Sequence, residues 1–373
     1  MRRRTSERAS TSPTNGNGRV IGLDLGATSV RATSLSLHTR GGRQLLTTHG
    51  AGAVQLPPGA ILNGLVTEQA VVTDAVKRLW STKGLTGRRV VLGVANPQVV
   101  VRPLEIPNLT AQQRTKALPF QAREIIALPL DEVILDYVQV GEPNSETGMV
   151  SGLLIATPRR PVLAAVDAVE RAGLKVARVD LSSFGALRAI ADEHLIVQAV
   201  IDFGAQLTSI VIHNRGVPQL VRTLARGGQE LTDLLAERLG LTNVEAEIVK
   251  CETGLIDHGL ATGVAGYRQP QDRDVAAETL LAGIRPLLAE IRSSINYFRA
   301  SNDNAPLEGI SLTGGGSALP ALAAVLARQH GVPTDVVSPM QRIDERQPGT
   351  QPTVAGPDHA ASAVSIGLAM GAA

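Results

Sequence analysis

The sequence predicts an α/β protein of two related lobes, with a compact α+β unit inserted in the first. Three observations carry this. At 373 residues the chain is too long for one ordinary hydrophobic core, so at least two lobes are expected. Strand-forming runs alternate with helical ones through most of its length, the pattern of α/β architectures. The tetrapeptide Asp24-Leu25-Gly26-Ala27 also returns as Asp202-Phe203-Gly204-Ala205, 178 residues later, each time after an apolar strand and before a β-branched one. A repeat spaced so widely indicates duplicated lobes rather than a solenoid.

Residues 1–18 are rich in Ser, Thr, Asn, Gly and Arg and read as a disordered basic leader. The run VIGLDLGATSVRATSLSL, from Val20, reads as strand, tight turn, strand, and a helix is expected over Glu68–Lys83, with Val71, Val72, Ala75, Val76 and Leu79 at helical spacing. RRVVLGVA and QVVVRPLEIP read as strands parted at Asn96-Pro97. The inserted unit is expected over 102–177, in the order strand, helix (Ala111–Ile126), strand, strand, helix (Pro161–Ala172), strand, with the first lobe at 19–101 plus 178–197. The second lobe, 198–373, opens with QAVIDFGAQLTSIVIHNRG. Helices follow at Gly228–Gly240, at Asn243–Glu252 with a capping-box-like Asn243, and at Ala276–Ala300. A strand at Gly309–Leu312 leads through Gly314–Gly316 into a helix at Ser317–Gln329. The last helix covers Ala360–Met370, and loops are expected near 255–274 and 339–357.

Composition excludes several classes. Only 2% of residues are aromatic, too few for the stacking platforms of a single-strand nucleic-acid binder, so no nucleic-acid partner is expected. The formal charge is +2, with the excess in Arg2, Arg3, Arg4 and Arg8; that arm is a solvated tail or a contact for anionic lipid or nucleic acid. One cysteine, Cys251, excludes an internal disulfide and suits a reducing compartment. Seven scattered histidines give no zinc spacing. Neither a secretory signal nor the roughly 20 apolar residues of a membrane span is present, so a cytoplasmic protein is expected.

Four motifs carry candidate chemistry. In the first, Asp24-x-Gly26-Ala27-Thr28-Ser29, a tight turn presents successive backbone N–H groups to phosphate oxygens, with hydroxyl donors at Thr28 and Ser29, and Arg31 follows on the outgoing strand. A plain hairpin turn is the alternative. The second, Asp202-x-Gly204-x-Gln206-x-Thr208, could approach the same phosphates from the other lobe, with Asp24 and Asp202 holding Mg²⁺ through water. No P-loop sequence occurs. The third, Gly314-Gly315-Gly316, suits a flat base against bare backbone, or is a flexible loop. The fourth joins Gly227-Gly228 to Glu247 and Lys250, which could grip ribose and base or form an ordinary i,i+3 ion pair.

Together these motifs resemble the actin-like ATPase superfamily, and in detail the PilM family of type IV pilus assembly proteins. The likeness rests on VIGLDLGATSVRATSL, VVVRPLEIPNL, ALPLDEVILDYVQV, VIDFGAQLTSIVI, ARGGQELTDLLAERLGLTNVEAEIVK, ISLTGGGSALPAL and AVSIGLAMG, nearly all of 19–371. It implies duplicated ribonuclease H-like lobes in four subdomains (1A, 1C, 2A, 2B), with ATP in the cleft at Gly26–Ser29, Arg31, Gly204, Gln206, Thr208, Gly227, Gly228, Glu247, Lys250 and Gly314–Gly316. It also implies a groove between the first lobe and the inserted unit that takes the cytoplasmic N-terminal tail of a PilN-like inner-membrane protein, which would bring the chain to the membrane. Self-association stays open. Arg31 stands where relatives commonly carry Lys, and Ala27 where Ser or Thr is usual. Asp202 is the candidate to orient a hydrolytic water, and Asp180 either shares that role or caps the helix SSFGALRAI. Two other readings remain: a sugar kinase, for which no sugar-cleft Asp is evident, and a cell-division protein like FtsA, whose membrane-targeting tail is not seen after Met370.

Overall fold

The computed structural model describes residue 14 and residues 18–40, 43–82, 84–192, 194–255, 270–339 and 358–371. The leader and most of the loops expected near 255–274 and 339–357 lie outside them.

Runs of β-branched and other apolar residues make β1 (Val20–Leu25), β2 (Ser29–Arg40) and β3 (Arg43–Gln55). A small hairpin follows, β4 (Ile61–Leu62) and β5 (Leu65–Val66), then α1 (Gln69–Thr82) and β6 (Arg89–Val94). The inserted unit holds β7 (Val100–Pro107), α2 (Ala111–Ala122), β8 (Val133–Gln139) and β9 (Met149–Pro158). Next come α3 (Arg159–Arg171), β10 (Lys175–Leu181) and α4 (Ser182–Ile190). The second lobe runs β11 (Val197–Phe203), β12 (Thr208–Asn214), β13 (Val217–Leu224), α5 (Gly228–Leu239), α6 (Asn243–Thr253) and α7 (Pro270–Ser301). It continues with β14 (Gly309–Thr313), a 3-10 turn at Gly315–Ala318, α8 (Leu322–His330), β15 (Thr334–Val336), α9 (Asp358–Ala361) and α10 (Ala363–Met370).

Strand order makes the duplication explicit. The first sheet is β3-β2-β1-β6-β10 and the second β13-β12-β11-β14-β15. In each, the central strand pairs antiparallel with the strand that follows it and parallel with a later one. Asp24 pairs with Arg31 in the first sheet, and Asp202 with Ser209 in the second.

The inserted unit is smaller than expected. Its sheet is β7-β9-β8, with Leu118, Ala122, Ile126 and Tyr137 in a small core of its own. The helix and strand expected to close it belong to the first lobe. α3 buries Ala165, Ala168 and Val169 against α1, and β10 pairs parallel with β6. Two ends also move. α2 stops at Ala122, where Ile125 and Ile126 both donate to the Ala122 carbonyl and Ile126 turns into that core. α6 is capped by Thr242 rather than Asn243: Thr242 Oγ1 accepts the Glu245 N–H while the Glu245 carboxylate accepts the Thr242 N–H. The helix expected from Ser317 is instead the 3-10 turn followed by α8.

The lobes meet on α4 and α10. Side chains of both helices share one core with Val20, Leu35 and Val91 of the first sheet, Val200, Val211 and Val221 of the second, and Val101, Leu153 and Ile155 of the inserted sheet. The helices cross at bare backbone, since a Cβ on Gly367 would run into the Gly185 carbonyl, and one on Gly22 into the Ser365 carbonyl. Thr33 and Ser365 hydroxyls bond at 2.8 Å beside the crossing, and Arg188 Nε donates to the Gly367 carbonyl at 2.9 Å.

One buried polar cluster sits in the second sheet. His213 Nδ1 accepts the Gly216 N–H at 3.0 Å, so its Nε2–H donates to Gln198 Oε1 at 2.9 Å, and Gln198 Nε2 donates to Ser311 Oγ at 2.8 Å. Burial holds His213 below the ordinary histidine pKa of 6.5.

Two outcomes follow from this packing. Gly367→Ala should lower the urea midpoint by an amount equal to about 3 kcal/mol, although Ala favours a helix by about 1 kcal/mol. An unchanged midpoint would refute the close crossing. The unfolded chain protonates His213 as pH falls through 6.5, whereas the folded chain resists, so this histidine contributes stability at pH 7 that is lost on acidification. The stability advantage of the wild type over His213→Gln should therefore shrink from pH 7 to pH 5; a constant difference would contradict the burial argument.

Candidate functional site

The two repeated turns face each other across a cleft of about 640 Å³. Each is closed in the same way. Gly26 N–H donates to the Ser29 carbonyl at 3.0 Å, and Gly204 N–H to the Leu207 carbonyl at 2.9 Å. Asp24, Gly26, Ala27, Thr28 and Arg31 line one side, with Asp202, Gly204 and Gln206 opposite.

Glycines set how tightly the second turn is held. Gly314 follows β14 with φ of 84°, and a Cβ there would strike the Asp202 carboxylate and the Phe203 carbonyl. A Cβ on Gly227 would strike the Ala205 carbonyl. The N-terminus of α5 is committed to the turn as well: Gly228 N–H donates to the Gly204 carbonyl at 2.9 Å and Gln229 N–H to that of Ala205 at 2.8 Å. Gly227 and Gly228 therefore buttress the turn, and Gly228 alone of the two reaches the cleft wall with Gly314, Gly315 and Gly316.

The cleft floor carries two carboxylates and one guanidinium. Burial raises Asp24 to about 6, against the pull of Arg31. Burial and the neighbouring Asp24 raise Asp202 to about 7, again opposed by Arg31. One cation for two acids leaves a net negative charge when both ionise, so the pair fits a divalent cation. Among the described residues no cluster of three or more His, Cys, Asp or Glu exists that would cage a metal. Two carboxylates suit Mg²⁺, which keeps several of its waters. Backbone turns that close around Gly26 and Gly204 suit phosphate oxygens.

The α6 wall differs from its expected role. Lys250 is buried and donates to the Gly228 carbonyl at 3.1 Å, to Thr232 Oγ1 at 2.9 Å and to Glu247 Oε2 at 2.6 Å. Three protein acceptors use all three of its donors, so Lys250 positions rather than binds. Thr232 Oγ1 also donates to Glu247 Oε2 at 2.5 Å. Burial opposes ionisation of Glu247, but the hydrogen bonds from Lys250 and Thr232 prevail and hold its pKa below the usual value. Glu247 thus offers the cleft an oriented carboxylate.

Four expected site residues do not line the cleft. The Ser29 hydroxyl is buried with no hydrogen-bond partner among the described residues. Thr208 Oγ1 donates to the Arg226 carbonyl at 2.8 Å. Gly227 lies behind the turn. Asp180 does not cap α4, whose N-cap is Leu181 with no side-chain cap; instead it bonds Arg188 Nη2 at 2.5 Å and accepts the Leu181 N–H. In exchange the cleft gains Val244 and Ile248, two exposed apolar residues on α6, together with Cys251 and Leu319. Val244 and Ile248 stand four apart on a helix whose buried residues are Ala246, Val249, Lys250 and Thr253, a signal legible in the sequence.

Carboxyl-carbon NMR should find Asp24 and Asp202 titrating with midpoints near 6 and 7. Asp24→Asn should lower the Asp202 midpoint by removing a like charge, and Arg31→Ala should raise both; midpoints near 4 in the wild type would overturn the buried pair.

The family described as type IV pilus assembly protein PilM matches residues 22–373. A solved structure described as the PilM-PilN type IV pilus biogenesis complex holds a chain 25% identical to this one, with a TM-score of 0.77, covering 95% of this chain and 98% of that one. Cell division protein FtsA of Streptococcus pneumoniae serotype 2 (strain D39 / NCTC 7466) is 23% identical over 354 residues, 87% of this chain and 76% of the relative. MreB 5 of Spiroplasma citri bound to AMPPNP, 13% identical with a TM-score of 0.52 over 95% of each chain, shares the fold.

Proposed function

This chain belongs to the PilM family of type IV pilus assembly proteins, with an actin-like ATPase fold, and we propose that it serves there as an ATP-binding scaffold. The observation that carries the nucleotide reading is the facing pair of glycine turns, each entered by an aspartate, on duplicated sheets. The solved MreB 5 structure with the same fold is described as bound to AMPPNP.

In this reading the turns closed by Gly26 and Gly204 present the backbone N–H groups of Ala27, Thr28, Ala205 and Gln206 to the phosphates, and Arg31 answers their charge. Asp24 and Asp202 hold Mg²⁺ through its waters; the cation would neutralise phosphate charge and hold both acids ionised despite their raised pKa. Glu247, fixed by Lys250 and Thr232, accepts from ribose hydroxyls. The bare backbone of Gly314–Gly316 lies along the base, with Val244 and Ile248 as apolar walls. Asp202 also orients a water for slow hydrolysis. Asp180, tied to Arg188, takes no part.

The partner is the N-terminal tail of a PilN-like inner-membrane protein, held in a groove between the first lobe and the inserted unit. Among the described residues β8 is an edge strand of the inserted sheet, which suits pairing with an extended peptide. In this reading that partner brings the chain to the inner membrane face; among the described residues no helix is long and apolar enough to cross a membrane. The distant FtsA likeness supports one other reading, a division protein.

Isothermal titration with ATP and Mg²⁺ tests the first part. The wild type should bind, and Asp202→Ala should bind about tenfold or more weakly, the scale of one lost contact to a charged group. A folded wild type that binds no ATP would sink the nucleotide reading. Co-sedimentation with liposomes in the absence of any partner would favour the division protein.

A further inference from the structure

The tip of the β4–β5 hairpin, in the first lobe, reaches the second turn. There the Asn63 N–H donates to Gln206 Oε1 at 2.9 Å. The tip is stiff, because Asn63 and Gly64 have φ of 48° and 79°, the left-handed pair that a two-residue hairpin favours. Behind it, Gly64 lies so close to the Ala95 carbonyl that no Cβ would fit. Asn96 Nδ2 donates to the Asn63 carbonyl at 3.1 Å, and Asn96 Oδ1 accepts the Gln98 N–H at 2.9 Å. Val99 N–H donates to the Asn96 carbonyl at 3.0 Å, and Val100 then opens β7, the root of the inserted sheet. A chain of hydrogen bonds thus runs from the cleft-lining turn of one lobe to the root of the inserted unit in the other.

A carboxamide has two ends. Because Asn63 presents a donor, the Gln206 oxygen must face it, which directs the Nε2 donors elsewhere on a residue that lines the cleft. An anionic phosphate oxygen is the ligand such donors suit. A carboxamide that donates at its nitrogen becomes a stronger acceptor at its oxygen. We propose that Gln206 bridges the lobes: phosphate held by its Nε2 strengthens its bond to Asn63, and Asn63 and Asn96 carry that restraint to β7. Gln206 and Asn96 are positioning residues in this scheme. Nucleotide occupancy is then felt where the inserted unit joins the first lobe. The coupling rests on the nucleotide reading of this cleft.

Amide hydrogen exchange on the full chain, with and without saturating Mg²⁺-ATP, tests it, with binding checked by titration in parallel. In the wild type ATP should slow exchange about tenfold in residues 61–66 and 96–107, the scale of one strengthened hydrogen bond. Gln206→Glu keeps an acceptor for Asn63 but no donor for phosphate, and should lose the response in both segments. Asn96→Asp keeps the acceptor for Gln98 but no donor for Asn63, so 61–66 should still respond and 96–107 should not. If Asn96→Asp fails to fold, Gln206→Glu decides alone. ATP binding with no change in either segment, or an undiminished response in Gln206→Glu, overturns the coupling and spares the nucleotide site. No ATP binding overturns both.

Discussion

The structure depends on the crossing of α4 and α10. Gly367 lies on the Gly185 carbonyl and Gly22 on that of Ser365, so two helices and the central strand of the first sheet approach without intervening side chains. That closeness brings three sheets into contact with one apolar spine, shared by Val91, Val211 and Ile155. Both carboxylate-bearing turns then open over the same cleft, and the inserted unit is seated at a fixed attitude to each.

The cleft illustrates how burial and charge divide the work. Glycines at 204, 227 and 314 bring backbone together at distances a side chain would forbid, and at Gly314 the Asp202 carboxylate as well. Burial in this packing raises the pKa of both Asp24 and Asp202, and the Asp24 charge adds to the rise at Asp202. Lys250 shows the opposite arrangement, a cation whose three protein acceptors take its donors and so leave Glu247 as the group presented outward.

Much of this was legible in the sequence because it is local. The Asp-x-Gly-Ala repeat identified both turns and the duplication, and glycine and proline signals marked most elements within a few residues. What was missed depends on distant partners. LKVARVD reads as a strand wherever it lies, and only its parallel pairing with β6 assigns it to the first lobe. Ser29 and Thr208 carry hydroxyls of the right type, but each is buried at the first position of its strand, and Thr208 spends its donor on the Arg226 carbonyl. Asp180 precedes a helix and looks like a cap, yet Arg188, eight residues on, takes its carboxylate. Lys250 reads as a surface ion-pair partner because nothing local says that Gly228 and Thr232 will cover it.

The bond between Thr33 and Ser365 joins residues 332 positions apart. α10 is an inner layer of the first lobe, lying on β1, β2 and α4. During synthesis, at about 5–20 residues per second, β1 must wait on the order of 20 seconds or more for the helix that covers it. Through that interval the nascent first lobe carries an uncovered apolar face, so the chain's exposure to aggregation in the cell is set by how late this one short helix is made.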